Sequence, residues 1–485
     1  MKIGKTAYPL LLATALLASP AGALAKSFKR GVGENQFALD GQMSPLAPGV
    51  SWYYNWANTP AKGYQGSVIA FEGMDFVPMV WNANYSADNI REYVKSHPGV
   101  KYLLGFNEPN FKKQANMTPA EAAEKWGDVK ALADELGLEL VAPAMNYSPD
   151  APYHDPLKWF DEFVALVGKD AFDYVAVHNY GGLGVMKTIA GNFHEKYGKP
   201  VWVTEFCLWP NEGNANSKVE PEVQIQSMVE SVEWLEKTDW IYRYAWFKPI
   251  GGFELTDTYT GPCYGLIVND RGAGVKQLSP QGYVYTYMSV FDPERWHAVD
   301  TLIPATEYSA QSNVNLSKGS NPSAPLPIEV SRFNAGAWLD YQIDVPKAGD
   351  YQLTLTVSGK GEPVRFDPVL KLDLVNADGS VTELAEPRQL TLPGNDEVYL
   401  DVTMPVKLPA GHQTLRLVDA NPYQPSGIRI SHLRISESSG VETIEAAEKG
   451  FSGAEYYSLQ GVRLQEPVKG LVIVRDTSGY RKIIY

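Results

Sequence analysis

Between roughly residues 45 and 295, short apolar runs alternate with longer helical ones, and this alternation limits the fold more than any other feature of the chain. The apolar runs cover 50–56, 76–81, 101–108, 138–144, 174–180, 201–206, 241–247 and 266–269. Helix starts stand between them. Thr118-Pro119 with Glu121 forms a capping box with proline at the first helical position, and Gly137 follows the helix end. Asp155-Pro156 and Ser279-Pro280 repeat the start in which a cap precedes a proline. Strands alternating with helices build a parallel sheet, and eight such units in about 250 residues are the signature of a (β/α)8 TIM barrel, an α/β fold.

The flanks read differently. Residues 1–25 are expected to be a secretory signal peptide: Lys2 and Lys5 precede an apolar run, and Ala23-Leu24-Ala25 offers a cleavage site before Lys26. No cysteine lies near that site, so lipoprotein anchoring there is not expected, and no later stretch is long and apolar enough for a membrane span. The barrel is assigned to 26–300. Beyond it, helical periodicity gives way to short alternating strands separated by turns such as Ala377-Asp378-Gly379, which predicts an all-β sandwich over 301–437. A small β-rich C-terminal module is expected over 438–485. The mature chain is expected to be secreted, extracellular or at the cell surface, with the periplasm as a stage of transit.

Losing Lys2 and Lys5 takes the formal charge from −14 to −16. An acidic surface repels nucleic acid and anionic lipid, which leaves uncharged partners. The seven histidines are scattered and form no HExxH, no GxSxG elbow occurs, and both glycine-rich nucleotide fingerprints are missing. Neither a metal nor a cofactor is expected. Of the two cysteines, Cys207 and Cys263, an exporting cell permits one bridge; two buried thiols are the alternative.

Two runs carry chemistry. Residues 102–110, YLLGFNEPN, read as a buried strand that ends in a polar tip, with Gly105 admitting a close neighbour and Pro109 stopping the ladder just after Asn107 and Glu108. Residues 201–206, VWVTEF, carry a second apolar strand into Glu205. Glycosidic bond cleavage needs one carboxylic acid to protonate the leaving oxygen and one carboxylate to attack the anomeric carbon, and Glu108 and Glu205 suit those tasks. In a barrel, catalytic groups sit at the carboxyl ends of strands. Trp56, Trp81, Tyr180, Trp209 and Trp246 gather at the same ends, as a cleft that stacks on sugar rings requires. His178 ends the fifth run, either orienting the attacking carboxylate or hydrogen-bonded in the core. The partner expected is a polysaccharide.

With WYYNW upstream and YAWF downstream, GFNEPN and VWVTEF resemble glycoside hydrolase family 128, the glycosyl hydrolase catalytic core, over roughly residues 45 to 295. The resemblance implies an endo-acting β-1,3-glucanase with a retaining mechanism, Glu108 as acid/base, Glu205 as nucleophile and Asn107 near the sugar 2-hydroxyl. It also implies strands four and seven for the two glutamates, whereas the runs counted above give three and six. Either a strand precedes residue 50 or the count is offset. Ala305-Thr306-Glu307-Tyr308 and the run GAWLDYQIDVPKAGDYQLTLTV are similar to family 6 carbohydrate-binding modules, although SGIRISHLRI replaces the segment that often completes their sugar cleft. The tail from YYSLQG to KIIY resembles the sorting modules of secreted Bacteroidetes proteins. The rival readings are a barrel acting on an agar-type or β-1,4-linked glycan and a glycan-binding surface protein without activity; retention of both glutamates speaks against the second.

Overall fold

The computed structural model describes residues 26–35, 43–61, 73–209, 218–270, 275–320, 324–359, 368–390, 392, 398–421 and 427–438, with short strand segments between 455 and 484. The expected signal peptide lies outside the described residues. Eight parallel strands form one sheet: β1 (Arg30–Gly33), β2 (Trp52–Tyr54), β3 (Asp75–Phe76), β4 (Tyr102–Leu104), β5 (Glu139–Met145), β6 (Tyr174–Asn179), β7 (Val201–Phe206) and β8 (Ile241–Phe247). Their order is β3-β2-β1-β8-β7-β6-β5-β4. A parallel bridge between Met79 and Leu104 joins the two ends, through Val80 N to Leu104 O at 2.8 Å and Leu104 N to Pro78 O at 2.9 Å. The sheet is therefore a closed barrel.

Helices α1 (Ala87–Ser96), α2 (Pro119–Leu136), α3 (Pro156–Val167), α4 (Leu183–Tyr197) and α5 (Pro221–Lys237) follow β3 to β7 in turn. Thr118 and Glu121 form the expected capping box, and Gly137 closes α2 in the left-handed conformation at φ 65°. Asp155 and Ser279 accept from Leu157 N and Gly282 N at the starts of α3 and of α6 (Pro280–Tyr287). The barrel bore is filled by Trp52, Tyr54, Tyr102, Leu104, Val141, Tyr174, Trp202 and their neighbours. A Cβ on Gly105 would lie 2.7 Å from Val141 O and 2.8 Å from the Trp126 ring, so the close neighbour this glycine admits is the protein itself.

The strand count needs two corrections. The first barrel strand is β1, whose RGVG sequence has too little apolar content to be recognised as a strand. Its glycine content has a packing reason: a Cβ on Gly31 would fall 2.2 Å from the Trp52 indole. The run at 266–269, read as the eighth strand, instead opens an antiparallel hairpin of β9 (Ile267–Asp270) and β10 (Val275–Leu278). It has no place in the barrel, because β8 already pairs with β1. Hence Glu108 follows the fourth strand and Glu205 lies on the seventh. Among the described residues, six α-helices flank the barrel, and only a 3₁₀ turn, Ser44–Leu46, stands between β1 and β2.

Past the barrel, β11 (His297–Ala298), β12 (Ile303–Pro304), β13 (Ala310–Lys318), β14 (Ile328–Val345), β15 (Gly349–Gly359), β16 (Val369–Val375), β17 (Val381–Gln389), β18 (Leu400–Leu408), β19 (Gly411–Asp419) and β20 (Ile428–Glu437) fold as a β-sandwich. Alternate residues of β14 (Leu339, Tyr341, Ile343, Val345) face its core. Trp338 is half-buried with Arg416 at 3.8 Å over its ring, and Arg416 grips Asp340 at 2.7 and 2.9 Å. β13 lies against α5 and α6, and the buried apolar residues of barrel wall and sandwich form one continuous cluster. Four further strands, β21 (Glu455–Tyr457), β22 (Arg463–Leu464), β23 (Leu471–Asp476) and β24 (Gly479–Ile484), form a separate small sheet.

Candidate active site

Glu108 stands just past β4 with its backbone turned to φ 43°, a conformation a β-carbon disfavours. Neighbouring strands hold it there. Asn107 N donates to Trp81 O at 2.9 Å and Glu108 N to Ala144 O at 2.9 Å. Asn110 completes the anchorage by donating from Nδ2 to Asn146 O at 2.8 Å, which ties the tip to the loop after β5. That loop returns a side chain, since Nδ2 of Asn146 donates to Glu108 Oε1 at 3.0 Å.

Glu205 reaches the cleft through an irregularity. Trp202 fills the bore, so strict alternation would turn Thr204 inward and Glu205 out. The β7–β8 ladder slips between Val203 and Phe206 and the β6–β7 ladder between Val177 and His178, which sets Glu205 beside His178. Three donors from the ends of two strands, β2 and β6, hydrogen-bond the carboxylate. Trp56 Nε1 donates to Oε1 at 2.7 Å, Tyr54 OH to the same oxygen at 3.3 Å, and Tyr180 OH to Oε2. His178 Nδ1 is hydrogen-bonded to Glu108 Oε1 at 2.8 Å and lies 3.3 Å from Glu205 Oε2. One carboxylate oxygen from each glutamate and a His178 ring nitrogen all lie within 4.8 Å of one another. Such a trio has the residue types of a metal site, but Trp56, Tyr54, Tyr180 and Asn146 aim N–H and O–H groups at the same oxygens, which suits hydrogen-bonded carboxylates better than ligands.

Burial acts on Tyr54, Tyr180, His178 and Glu205 alike. It raises Tyr54 and Tyr180 well above the ordinary phenol range, helped by the charge of Glu205, so both keep the proton they donate. Burial pushes His178 down, and the charges of Glu205 and Glu108 outweigh it, leaving the ring above its ordinary range. Glu205 is raised, first by burial; His178 opposes this, Glu108 adds to it, and the bonds from Tyr180 and Trp56 oppose it. A carboxyl raised in the folded state contributes stability that is fully present below its unfolded pKa and is lost as pH rises through its folded pKa. Glu205→Gln should therefore melt above the wild type at neutral pH, with the gap closing below about pH 4, where the Glu205 carboxyl is protonated in the folded and the unfolded chain alike. A variant that melts lower at neutral pH would mean that the donors outweigh burial. Thermal melts across pH decide it.

The aromatic residues divide. Trp56, Trp81, Tyr180 and Trp209 are all half-buried at strand ends. Trp209 stacks on Tyr264 at 5.2 Å and meets Tyr180 at 6.2 Å. Trp246 belongs elsewhere. It is 1 % exposed, packs against Phe206 and Tyr285 and donates to Tyr264 O at 2.8 Å, so it faces the helices. Its neighbour Phe247 takes the cleft position, 5.8 Å from Trp56 and 5.3 Å from Tyr180. With Ala245 in the bore, the period of two along β8 identifies Phe247. Tyr54, Asn146 and Tyr264 were also missed; only Tyr54 carried a signal, its two-residue spacing from Trp52 and Trp56. Asn107 is buried with Oδ1 unpartnered among the described residues, an acceptor left open at the site.

The glycosyl hydrolase catalytic core family matches the chain over residues 33–285. The chain belongs to that family. Its barrel is a glycoside hydrolase domain, and family members of known structure align along nearly their whole length. The family 128 (subgroup II) endo-β-1,3-glucanase of Pseudomonas viridiflava is 35% identical, with 54% of this chain and 98% of that one covered at a TM-score of 0.47. Its Sorangium cellulosum counterpart is 31% identical over 53% and 97%, with a TM-score of 0.44. A subgroup I enzyme of Amycolatopsis mediterranei, crystallised with laminaritriose, is 25% identical over 54% and 99%, with a TM-score of 0.41. Alkali-sensitive linkage protein 1 of Schizosaccharomyces pombe is 27% identical over 205 residues, 41% of this chain, which spans 35% of that protein's length.

Cys207 and Cys263 are buried free thiols. Burial, then the charge of Glu205, raises Cys207, and burial, then Glu254 and Glu220, pushes Cys263 up to about 11. Among the described residues no helix is long and apolar enough to cross a membrane.

Proposed function

We propose that this chain is a secreted, retaining hydrolase that cleaves internal bonds of a β-1,3-glucan. The observation that carries the reading is the pair of glutamates at the barrel's carboxyl end, with oxygens within 4.8 Å. Retaining glycosidases hold their carboxyl groups about 5 to 5.5 Å apart, and inverting ones about 6.5 to 9.5 Å apart to admit water. Glu108 protonates the leaving oxygen while Glu205 attacks the anomeric carbon; Glu108 then takes a proton from the water that releases the sugar. Tyr54, Trp56 and Tyr180 aim Glu205, and the open acceptor of Asn107 receives the 2-hydroxyl. The substrate follows from the relatives above 30% identity, which are endo-β-1,3-glucanases by name. Aromatic side chains stand both after β2, β7 and β8 (Trp56, Trp209, Phe247) and after β3 and β5 (Trp81, Tyr147), as an open groove requires.

The sandwich would hold the enzyme on polymer and the tail would direct its sorting. A polysaccharide panel assayed for reducing sugar, with product anomers followed by NMR, tests the reading. The expected result is laminarin and curdlan cut to a ladder of oligosaccharides whose first-formed anomer is β. Glucose alone at the earliest times would mean attack from chain ends, and cleavage only of agarose or a β-1,4-glucan would move the substrate. Binding without cleavage would mean a glycan-binding protein. Export predicts that the mature chain begins at Lys26, which N-terminal sequencing reads.

A further inference from the structure

The two carboxyls are held differently. Both oxygens of Glu205 take hydrogen bonds, Oε1 from Trp56 and Tyr54 and Oε2 from Tyr180. Glu108 takes both of its hydrogen bonds on one oxygen: His178 Nδ1 meets Oε1 at 2.8 Å and Asn146 Nδ2 meets it at 3.0 Å. Oε2 of Glu108 has no partner among the described residues and is not among the polar atoms they seal from solvent, so it opens on the cleft. Asn146 is the first residue after β5, and its backbone is pinned. Its carbonyl accepts from Asn110 Nδ2 at 2.8 Å, and two residues further on Ser148 Oγ donates to Asn110 O at 3.0 Å.

We propose that Asn146 is a positioning residue that confines the acid of Glu108 to one oxygen: its amide, with the His178 ring, holds Oε1 as the carbonyl and leaves the transferable proton on Oε2. The proposal rests on reading Glu108 as acid/base and Glu205 as nucleophile. An oxygen that accepts from two N–H groups is the poorer place for a proton, and Oε2 is the one open to the leaving oxygen. In the first step a Glu205 oxygen bonds to the anomeric carbon, the glycosidic C–O bond breaks and the Oε2 proton passes to the leaving oxygen. Glu108 is then a carboxylate. Its two N–H partners already stand at Oε1, so no donor has to move as the charge appears. In the second step Oε2 takes a proton from the water whose oxygen bonds to the anomeric carbon as the ester bond to Glu205 breaks. One oxygen thus gives the first proton and takes the second. His178 shares Oε1 but also stands 3.3 Å from Glu205 Oε2, and its ring titrates. Asn146 bonds Glu108 without titrating, which makes it the donor to remove. The titratable groups around Glu108 are His178 from β6, Glu205 from β7 and the hydroxyls of Tyr54 from β2 and Tyr180 just past β6. All four remain in the variants below.

The test compares Asn146→Ala and Asn146→Asp with the wild type in the pH profile of kcat/KM on a laminari-oligosaccharide. A donor favours the ionised form of the carboxyl it serves, so without it Glu108 should release its proton at higher pH. In Asn146→Ala the alkaline limb should move up by about one unit, and the acid limb should stay, because Glu108 is neutral where Glu205 titrates. Asn146→Asp keeps the shape and sets a carboxylate beside Oε1, so its alkaline limb should stand higher still. Either variant alone decides the direction. At the wild-type optimum Asn146→Ala should lose about 10-fold on the oligosaccharide but less than about 3-fold on its dinitrophenyl glycoside, whose leaving group departs without a proton. An alkaline limb that stays in place, equal losses on the two substrates, or an Asn146→Ala limb above that of Asn146→Asp would each overturn the proposal. A downward move would mean that the amide accepts from the acid and that the proton rests on Oε1, which also overturns it. Failure of the catalytic reading looks different: wild-type enzyme that cleaves no β-1,3-glucan, or that gives inverted products, removes the proposal before any variant is made.

Discussion

Glu205→Gly should lose turnover on β-1,3-glucan by on the order of 10⁵-fold, as expected when the attacking group of a unit that works together is removed. The assignment of roles comes from azide. With an activated β-fluoride donor, the Glu205→Gly enzyme has no nucleophile of its own, so azide enters the vacated space directly and gives an α-glycosyl azide. Glu108→Ala keeps Glu205 and still forms the glycosyl-enzyme, which azide intercepts to give a β-azide. Glu108→Ala should also lose less with an activated leaving group than with glucan, because the activated group departs without a proton. Exchanged azide products would exchange the roles. Wild-type products of inverted configuration would exclude the retaining pathway whatever the variants did.

Removing residues 301–485 should lower the barrel's melting temperature by roughly 10 °C, because exposing a few buried side chains costs about 3 to 5 kcal/mol and each kcal/mol moves a domain of this size by about 2 to 4 °C. The reason lies at the seam. Phe291 and Tyr308 are buried against each other at 5.5 Å, Lys318 lies 4.7 Å over the Tyr283 ring, and Arg295 pairs with the buried Glu307 at 2.9 Å. Arg332 donates to Gln226 of α5 at 2.9 Å and Gln311 to Glu233 at 3.2 Å. Without the sandwich, an apolar face of α5, α6 and the following loop would meet water. A truncated barrel that melts within two or three degrees of the full chain would show that the sandwich is only a spacer.

The glutamates were legible because a buried strand that ends in Asn-Glu-Pro cannot continue its ladder, and a second apolar strand ending in Thr-Glu-Phe has the same shape. The period of two and the cap-then-proline starts carried the alternation of strands and helices, from which the barrel follows. Local sequence holds that much because strand alternation and helix capping involve residues only a few positions apart.

Closure, register and partnership were decided by tertiary structure. Arg30–Gly33 becomes a strand because β8 and β2 supply ladders on both sides of it and the Trp52 ring occupies the space a side chain at Gly31 would need. The run at 266–269, with Leu266, Ile267 and Val268, has the greater apolar content and is left out, since the barrel is already closed. Phe247 takes the cleft position expected of Trp246 because one residue of parity separates the wall from the bore. Glu205 enters the bore through slips in two neighbouring ladders that no spacing announces. Asn146 meets Glu108 across 38 residues of chain, and His178 meets it across 70. Such contacts exist only once the strands are arranged around the barrel, so the sequence alone could place Trp56, His178 and Tyr180 at the same end as Glu108 and Glu205 but not show which carboxylate each would meet.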